Sequence, residues 1–247
     1  MLRGKQIQTQ QMLDAKGVML PQFPRTRHLP WQANAKRDDL IAAEAEAAII
    51  FSSDRVSVEE KVDGSNAGMS ILDGQPAIRN HNHIIHKAYS GRRTPAKLQF
   101  SSVWNWWYEN RQLFEALDGP YTVYGEWCVA QHGMAYDHLP SWFIAHTVYD
   151  YHAGNWLDTE IARSLLTSAG FATTPLLHWG SVQSYQQLEA LANGPSQFAP
   201  NSLREGVYIK VSDGRYITHN FKMVRPGFEQ GALWSDSKMT KNKIHSE

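Results

Sequence analysis

The chain has 247 residues, 42% of them hydrophobic, enough for one sizeable core. Lys+Arg number 24 and Asp+Glu 24, so a globally basic surface is excluded and any nucleic-acid contact must come from a local patch. The single cysteine, Cys128, excludes an internal disulfide and fits a reducing cytosol. No run of about 18 apolar residues predicts a membrane span, and "MLRGKQIQTQ" lacks the apolar centre of a signal peptide, so a cytoplasmic protein is expected.

The first thirty residues read as an irregular, proline-rich segment ending in "PQFPRTRHLPW". "RDDLIAAEAEAAIIF" predicts a helix capped by Asp38 or Asp39. "RVSVEEKV" predicts a strand, and "AGMSILDGQPAIRN" predicts two more, turning at Asp73-Gly74. "VWNWWYENRQLFEALDG" places Val103, Trp107, Phe114 and Leu117 on one helical stripe, with Gly119 at its end. "YTVYGEWCV" and "WFIAHTVYD" read as buried strands. "DTEIARSLLTSAG" is a helix capped by Asp158 or Thr159 and closed by Gly170; "SYQQLEALANG" is a second, closed by Gly194. "EGVYIKVSDG" and "RYITHNFKMV" form the last strands, turning at Asp213-Gly214. Strand runs with helices inserted between hairpins predict an α+β fold with largely antiparallel sheets rather than a doubly wound parallel one.

"EEKVDGSNAGMS", Glu59 to Ser70, carries the chemistry. A lysine amine attacks only when deprotonated, against a free pKa near ~10.4. Burial, nearby cations or a metal can lower that value. A strand end followed by Asp63-Gly64 lets the Lys61 amine project into a cleft while Gly64 permits close backbone approach. Alone, the stretch also reads as an exposed strand lysine paired with Glu59 or Glu60. Its companions stand in order downstream: Arg79, Glu126 in "YGEW", Tyr149-Asp150, Glu205 and Lys210 in "EGVYIK", then Lys222 and Arg225 in "FKMVR".

This order resembles the covalent nucleotidyltransferases, the ATP-dependent DNA and RNA ligases and the mRNA capping enzymes, and within them the RNA ligase 2-like branch. "EKVDGSN" is similar to that branch's nucleophile motif, "FPRTRHLP" to a segment upstream of it, and "KMVRPGF" to its final motif, over about Phe23 to Phe228. The resemblance implies the adenylyltransferase fold, its largely antiparallel sheets set around a nucleotide cleft. It implies ATP as AMP donor and Mg²⁺ or Mn²⁺ as cofactor, with RNA bearing 5′-phosphate and 3′-hydroxyl ends as substrate. Lys61 is then the nucleophile, with Asp63 in its motif. Lys222 binds the α-phosphate and lowers the Lys61 pKa. Arg79 lies near the phosphates. Glu126 contacts ribose or metal, and Glu205 assists the metal; hard carboxylate oxygens suit Mg²⁺ or Mn²⁺. Tyr149 stacks on adenine. Glu60 contacts the nucleotide through backbone or carboxylate, Asn66 through its amide, and Gly64 makes room. Many members carry Lys-x-Lys in the last motif. Here Asn220 or Val224 stands at the second lysine position, and Lys210 is either a substitute charge or a strand-surface lysine.

His81, His83 and His86 lack further ligands at zinc spacing, so no zinc site is read there. Lys87, Arg92, Arg93 and Lys97 are the candidate RNA-backbone patch, and Lys238, Lys241 and Lys243 a basic tail. About 25 residues follow Lys222, too few for an OB fold. A single nucleotidyltransferase domain over 1–247, a monomer, is therefore expected, with room for a partner protein to add RNA-binding surface. RNA repair is the expected role. A degenerate binding module of the same fold, a DNA-sealing enzyme or a GTP-using one are the alternatives.

Overall fold

The structure is a computed structural model that describes residues 13–14, 17–32, 39–72, 74–87, 98–233 and 239–245. A two-stranded ladder of β1 (Leu13–Asp14) and β2 (Gly17–Val18) precedes two five-stranded sheets. The first sheet runs in the order β10-β4-β11-β12-β3, from β3 (Arg27–His28), β4 (Val56–Glu60), β10 (Leu176–Trp179), β11 (Gly206–Ser212) and β12 (Ile217–Val224). The second runs β6-β5-β7-β8-β9, from β5 (Ser65–Leu72), β6 (Gln75–Asn80), β7 (Tyr121–Trp127), β8 (Phe143–Asp150) and β9 (Asn155–Trp156). Every pairing is antiparallel except β3 with β12. The expected α+β architecture is the one observed.

Helices cover the outer faces. Behind the first sheet, Val56, Val58, Val207, Ile209 and Phe221 pack with Ile50 of α2 (Ile49–Ser52) and Leu188 of α6 (Tyr185–Ala192). Behind the second, Met69, Val123 and Phe143 pack with Trp107 of α3 (Val103–Glu109), Phe114 of α4 (Arg111–Glu115) and Leu166 of α5 (Thr159–Ser168). Period-two alternation then turns Ser57, Glu59, Lys61, Tyr208, Lys210 and Lys222 toward the other sheet. The polar groups of the chain are thereby collected in the cleft between the sheets.

Two predicted helices differ from expectation. The stripe from Val103 to Leu117 is split at Asn110, whose side-chain amide donates to the Trp106 carbonyl at 2.7 Å. Asn competes with backbone bonding in this way, which is why it interrupts helices. The helix expected from Arg37 begins only at α1 (Glu44–Ala47), with Ala43 before it and no side-chain cap. Asp38 lies outside the described residues, and Asp39 is used elsewhere: its carboxylate reaches His28 and Lys222. Other caps hold except at Gly119 and Gly194, which take no positive φ; Asp118 takes it instead of Gly119. Asp158 accepts from the Glu160 and Ile161 amides, Ser184 accepts from Gln187, and Gly170 and Gly214 take positive φ. Gly74 also has positive φ, while its turn partner Asp73 lies outside the described residues.

The N-terminal segment, read as irregular, has a structural task. The Met19, Leu20 and Pro21 carbonyls accept from Thr122 at 2.6 Å, Arg79 at 2.8 Å and Tyr124 at 2.5 Å. It covers part of the inner face of the second sheet, then adds His28 to the edge of the first. No helix among the described residues is long and apolar enough to cross a membrane.

Candidate active site

The chain folds Lys61 onto the end of β4, where the strand stops and Asp63-Gly64 lead into β5. The Lys61 amide donates to the Gly206 carbonyl at 2.9 Å, so its backbone is held by β11. Its amine lies in a cavity of about 480 Å³. Asp63, Gly64, Asn66, Glu126, Glu205 and Lys222 line the same cavity. Seven residues spread over 162 positions of chain are thus brought to one place by three strand pairings: β4 with β11, β11 with β12, and β5 with β7.

Lys61 Nζ is 2.6 Å from Glu205 Oε1, and both side chains are largely buried. Burial alone would lower the Lys61 pKa. The negative charge of Glu205, with Tyr208 and Asp63 adding to it, outweighs this and raises the pKa instead. The depression expected from Lys222 is therefore not observed: three carboxylates face the amine, and Lys222 is not the dominant neighbour. Burial pushes the Glu205 carboxyl up to about 7 against the pull of Lys61. Burial likewise pushes Glu126 to about 8, with Lys61 opposing and Glu205 adding to the rise. Burial and then Lys61 lower the Lys222 ammonium.

Asp63 shapes the wall. Its Oδ2 accepts from the Gly133 amide at 2.5 Å and the Met134 amide at 2.9 Å, and its own amide donates to the Tyr136 hydroxyl at 2.7 Å. Gly64 is required by space. A Cβ there would lie 2.9 Å from Glu126 Cβ, 3.0 Å from Cys128 Sγ and 3.1 Å from the Trp127 carbonyl oxygen. Asn66 pairs with Glu126 across β5 and β7, which sets both side chains on one face. Asn66 Oδ1, Glu205 Oε2 and His146 Nε2 are buried without a hydrogen-bond partner. Such groups are costly in a finished interior, and two of them, on Asn66 and Glu205, lie on the wall of this cavity, where a ligand could complete their bonding.

Four predicted site residues do not line this cavity. Glu60 follows the strand alternation to the opposite face, where its carboxylate accepts from Ser196 Oγ at 2.6 Å and the Gln197 amide at 3.0 Å. Arg79 and Tyr149 lie on the cleft face of the second sheet but under the N-terminal segment. Arg79 spends its guanidinium on the carbonyls of Leu20, Asn80 and His81. Tyr149 packs with Phe23, Tyr124 and Trp156. Lys210 is sealed in an ion pair with Glu59, which also binds Arg163 at 3.1 Å, and its amine donates to the His146 carbonyl at 2.6 Å. Asn220 turns to Thr26, at 3.4 Å, while Val224 does line the cavity.

His28, Gln99, His132, Tyr208, Gln230 and Gly231, none of them expected as site residues, complete the wall. Tyr208 was legible from its even spacing with Lys210 on one strand. Gln99 Oε1 accepts from Ser65 Oγ at 2.7 Å and stands 3.2 Å from His132 Nε2. His146 sits behind them. Tyr124 pairs with Thr147 and Gly125 with Ala145, so His146 is the extra residue of a bulge. Bulges re-aim side chains beside active sites; here the ring is turned to within 3.8 Å of Glu126 Oε1.

Among the described residues, no three His, Cys, Asp or Glu side chains converge as a metal cluster. Of the candidate RNA-backbone patch, Arg92, Arg93 and Lys97 lie outside the described residues, as does Lys238. Lys87 stands 4.8 Å over the Tyr108 ring.

The fold has counterparts among solved structures. A Naegleria gruberi RNA ligase mutant with AMP and Mn is similar over 88% of this chain and 61% of its own, at 15% identity and a TM-score of 0.59. Another mutant of that ligase, with ATP and Mn, matches over 82% of this chain and 60% of its own, at 16% identity and a TM-score of 0.56. The same ligase with PPi matches over 86% and 60%, at 18% identity and a TM-score of 0.56. At these identities the likeness is one of fold, and the chain spans about three fifths of the length of those structures. No curated protein matches the chain. The RNA ligase family model, however, matches residues 54–226, a span that contains Lys61, Glu126, Glu205 and Lys222. The chain belongs to the RNA ligase family.

Proposed function

We propose that the protein is an ATP-dependent RNA ligase working through a lysyl–AMP intermediate. The observation that carries this reading is the Lys61–Glu205 pair, 2.6 Å apart at the floor of a cavity lined by carboxylates and Lys222. Nζ of Lys61 attacks the α-phosphorus of ATP; a P–N bond forms, the bond to pyrophosphate breaks, and pyrophosphate leaves. Glu205, whose carboxyl is raised to about 7, is the base within reach for the Lys61 proton. Lys222 faces the same space and is suited to the α-phosphate charge. Phosphoryl-type transfer depends chiefly on such positioning and neutralisation. The AMP then passes to an RNA 5′-phosphate. A 3′-hydroxyl displaces it, the new phosphodiester forms, and AMP is released.

Glu126 and Glu205 are hard oxygen donors, and Glu205 Oε2 has no partner, so the site suits Mg²⁺ or Mn²⁺. Such a cation keeps several waters and takes phosphate oxygens, so two carboxylates from the protein suffice. Bound there, it would neutralise phosphate charge and offset the carboxylates that now hold Lys61 protonated. The expected setting is a cytoplasmic monomer in RNA repair.

Incubation with α-labelled ATP and Mg²⁺ or Mn²⁺ tests the reading. Wild type takes a covalent label that moves to 5′-phosphorylated RNA, and Lys61→Ala takes none. Nucleotide binding without any label would instead support a binding module. Transfer to DNA ends alone would make the enzyme a DNA ligase.

A further inference from the structure

We propose that His28 is a second phosphate ligand of the cavity, working beside Lys222. The proposal rests on the nucleotide reading above and goes beyond it in assigning work to the "FPRTRHLP" segment.

The first support is placement. β3 joins the sheet through two register pairs, Phe221 with Arg27 and Lys222 with His28. Residues paired in this way share a sheet face, so His28 follows Lys222 into the cleft, and both line the cavity. The ring is 4% exposed. Its backbone is stitched on both sides: the His28 amide donates to Leu40 at 2.7 Å, Ala42 donates to the His28 carbonyl at 2.9 Å, and Leu29 donates to Lys222 at 3.2 Å. Gln32 Nε2 donates to the Val224 carbonyl at 2.5 Å, and its Oε1 is 2.8 Å from His28 Nδ1. The imidazole is therefore fixed before any ligand arrives, which is how a preorganised site spends little on ordering.

The second support is an anionic oxygen already in position. Asp39 Oδ1 lies 3.3 Å from His28 Nε2 and 3.7 Å from Lys222 Nζ. The two side chains thus share one carboxylate oxygen, and a phosphate oxygen has the same charge and hydrogen-bonding demand. The third support is electrostatic. The cavity wall carries Lys61 and Lys222 against Asp63, Glu126 and Glu205. Burial and Lys222 lower the His28 pKa while Asp39 raises it, so an anionic oxygen beside Nε2 is what favours the charged imidazole. His28 is the lining histidine paired with Lys222. A phosphate oxygen of the nucleotide would replace Asp39 between Nε2 of His28 and Nζ of Lys222, with Gln32 continuing to hold Nδ1.

Three substitutions separate contact from scaffolding. His28→Asn keeps a polar group near the Gln32 side and removes the Nε2 position. His28→Gln places an amide donor near that position. Asp39→Asn removes the competing charge. Titration calorimetry of the full chain with ATP and Mg²⁺, with thermal melting as the fold control, should show ATP binding weakened about tenfold by His28→Asn. His28→Gln should recover most of that loss, and Asp39→Asn should tighten binding about threefold. A parallel titration with 5′-phosphorylated RNA should show a smaller effect of His28→Asn than ATP does. Unchanged ATP binding in His28→Asn overturns the proposal. So does a loss in Asp39→Asn that parallels it, which would show a scaffold role, or an effect confined to RNA. Wild type that binds ATP without covalent label would break the ligase reading and leave this test standing. Wild type that does not bind ATP would break both.

Discussion

Two buried lysine–glutamate pairs stand side by side on the cleft face of the first sheet. Lys210 with Glu59 is a closed unit. Arg163 binds the same carboxylate, and the lysine's remaining bonding goes to the His146 carbonyl. Lys61 with Glu205 is an open unit: it faces a cavity, one carboxylate oxygen has no partner, and Glu126 and Asp63 crowd it with like charge. Both are Lys–Glu pairs in sequence terms. The difference shows that burial with full satisfaction makes a scaffold, whereas burial with a deficit makes a site. The closed pair also serves the open one, because Lys210 pins the bulge that aims His146 toward Glu126.

Breaking each pair should have opposite signatures. Glu59→Ala leaves Lys210 and Arg163 without their buried counter-charge and should cost about 3–5 kcal/mol of stability, seen as a lower denaturation midpoint. Glu205→Ala should hardly move that midpoint but should slow covalent labelling by about a hundredfold or more. If Glu205→Ala instead destabilises as much as Glu59→Ala, the distinction between the pairs is wrong.

A pH series sharpens the comparison. The Glu126 carboxyl is raised from 4.5 to about 8, by burial first, with Lys61 opposing. Between those values the folded protein holds a proton that the unfolded chain has released. Stability in metal-free buffer therefore falls as pH rises through that window. Glu126→Gln removes the titration, so at pH 8 it should be more stable than wild type by on the order of 2 kcal/mol, with the gap closing toward pH 4. A gap that persists at low pH would point to packing rather than charge.

The smallest effect is expected outside both pairs. Tyr149→Phe should change labelling by less than about twofold and stability by under about 0.5 kcal/mol, since the ring packs in a cluster away from the cavity. A large loss of labelling would put the nucleotide against the Tyr149 hydroxyl after all.

How much of the site was legible follows from where its residues sit. Lys61, Asp63, Gly64 and Asn66 lie in one short stretch, and Glu126, Glu205 and Lys222 lie at or near strand ends, so motif order sufficed to gather them. Glu60 was excluded in principle by alternation, since neighbours on a strand face opposite ways. Arg79 and Tyr149 are on the correct face and fail for another reason: the segment from Met19 to Phe23 lies over them. No local pattern reports that a remote segment will cover a sheet. His146 escaped because a bulge, which alternation does not foresee, turns its ring toward Glu126.

By itself, the sequence determined the long strands and most helices, the α+β class and a candidate nucleophile, Lys61, because periodicity, caps and ordered motifs are local properties. Tertiary structure decided which lysine faces the cavity, which carboxylate oxygen remains without a partner, and that His28 stands beside Lys222. These depend on strand register and on the course of the N-terminal segment. They are set by long-range packing and hydrogen bonding, which no short window of residues encodes.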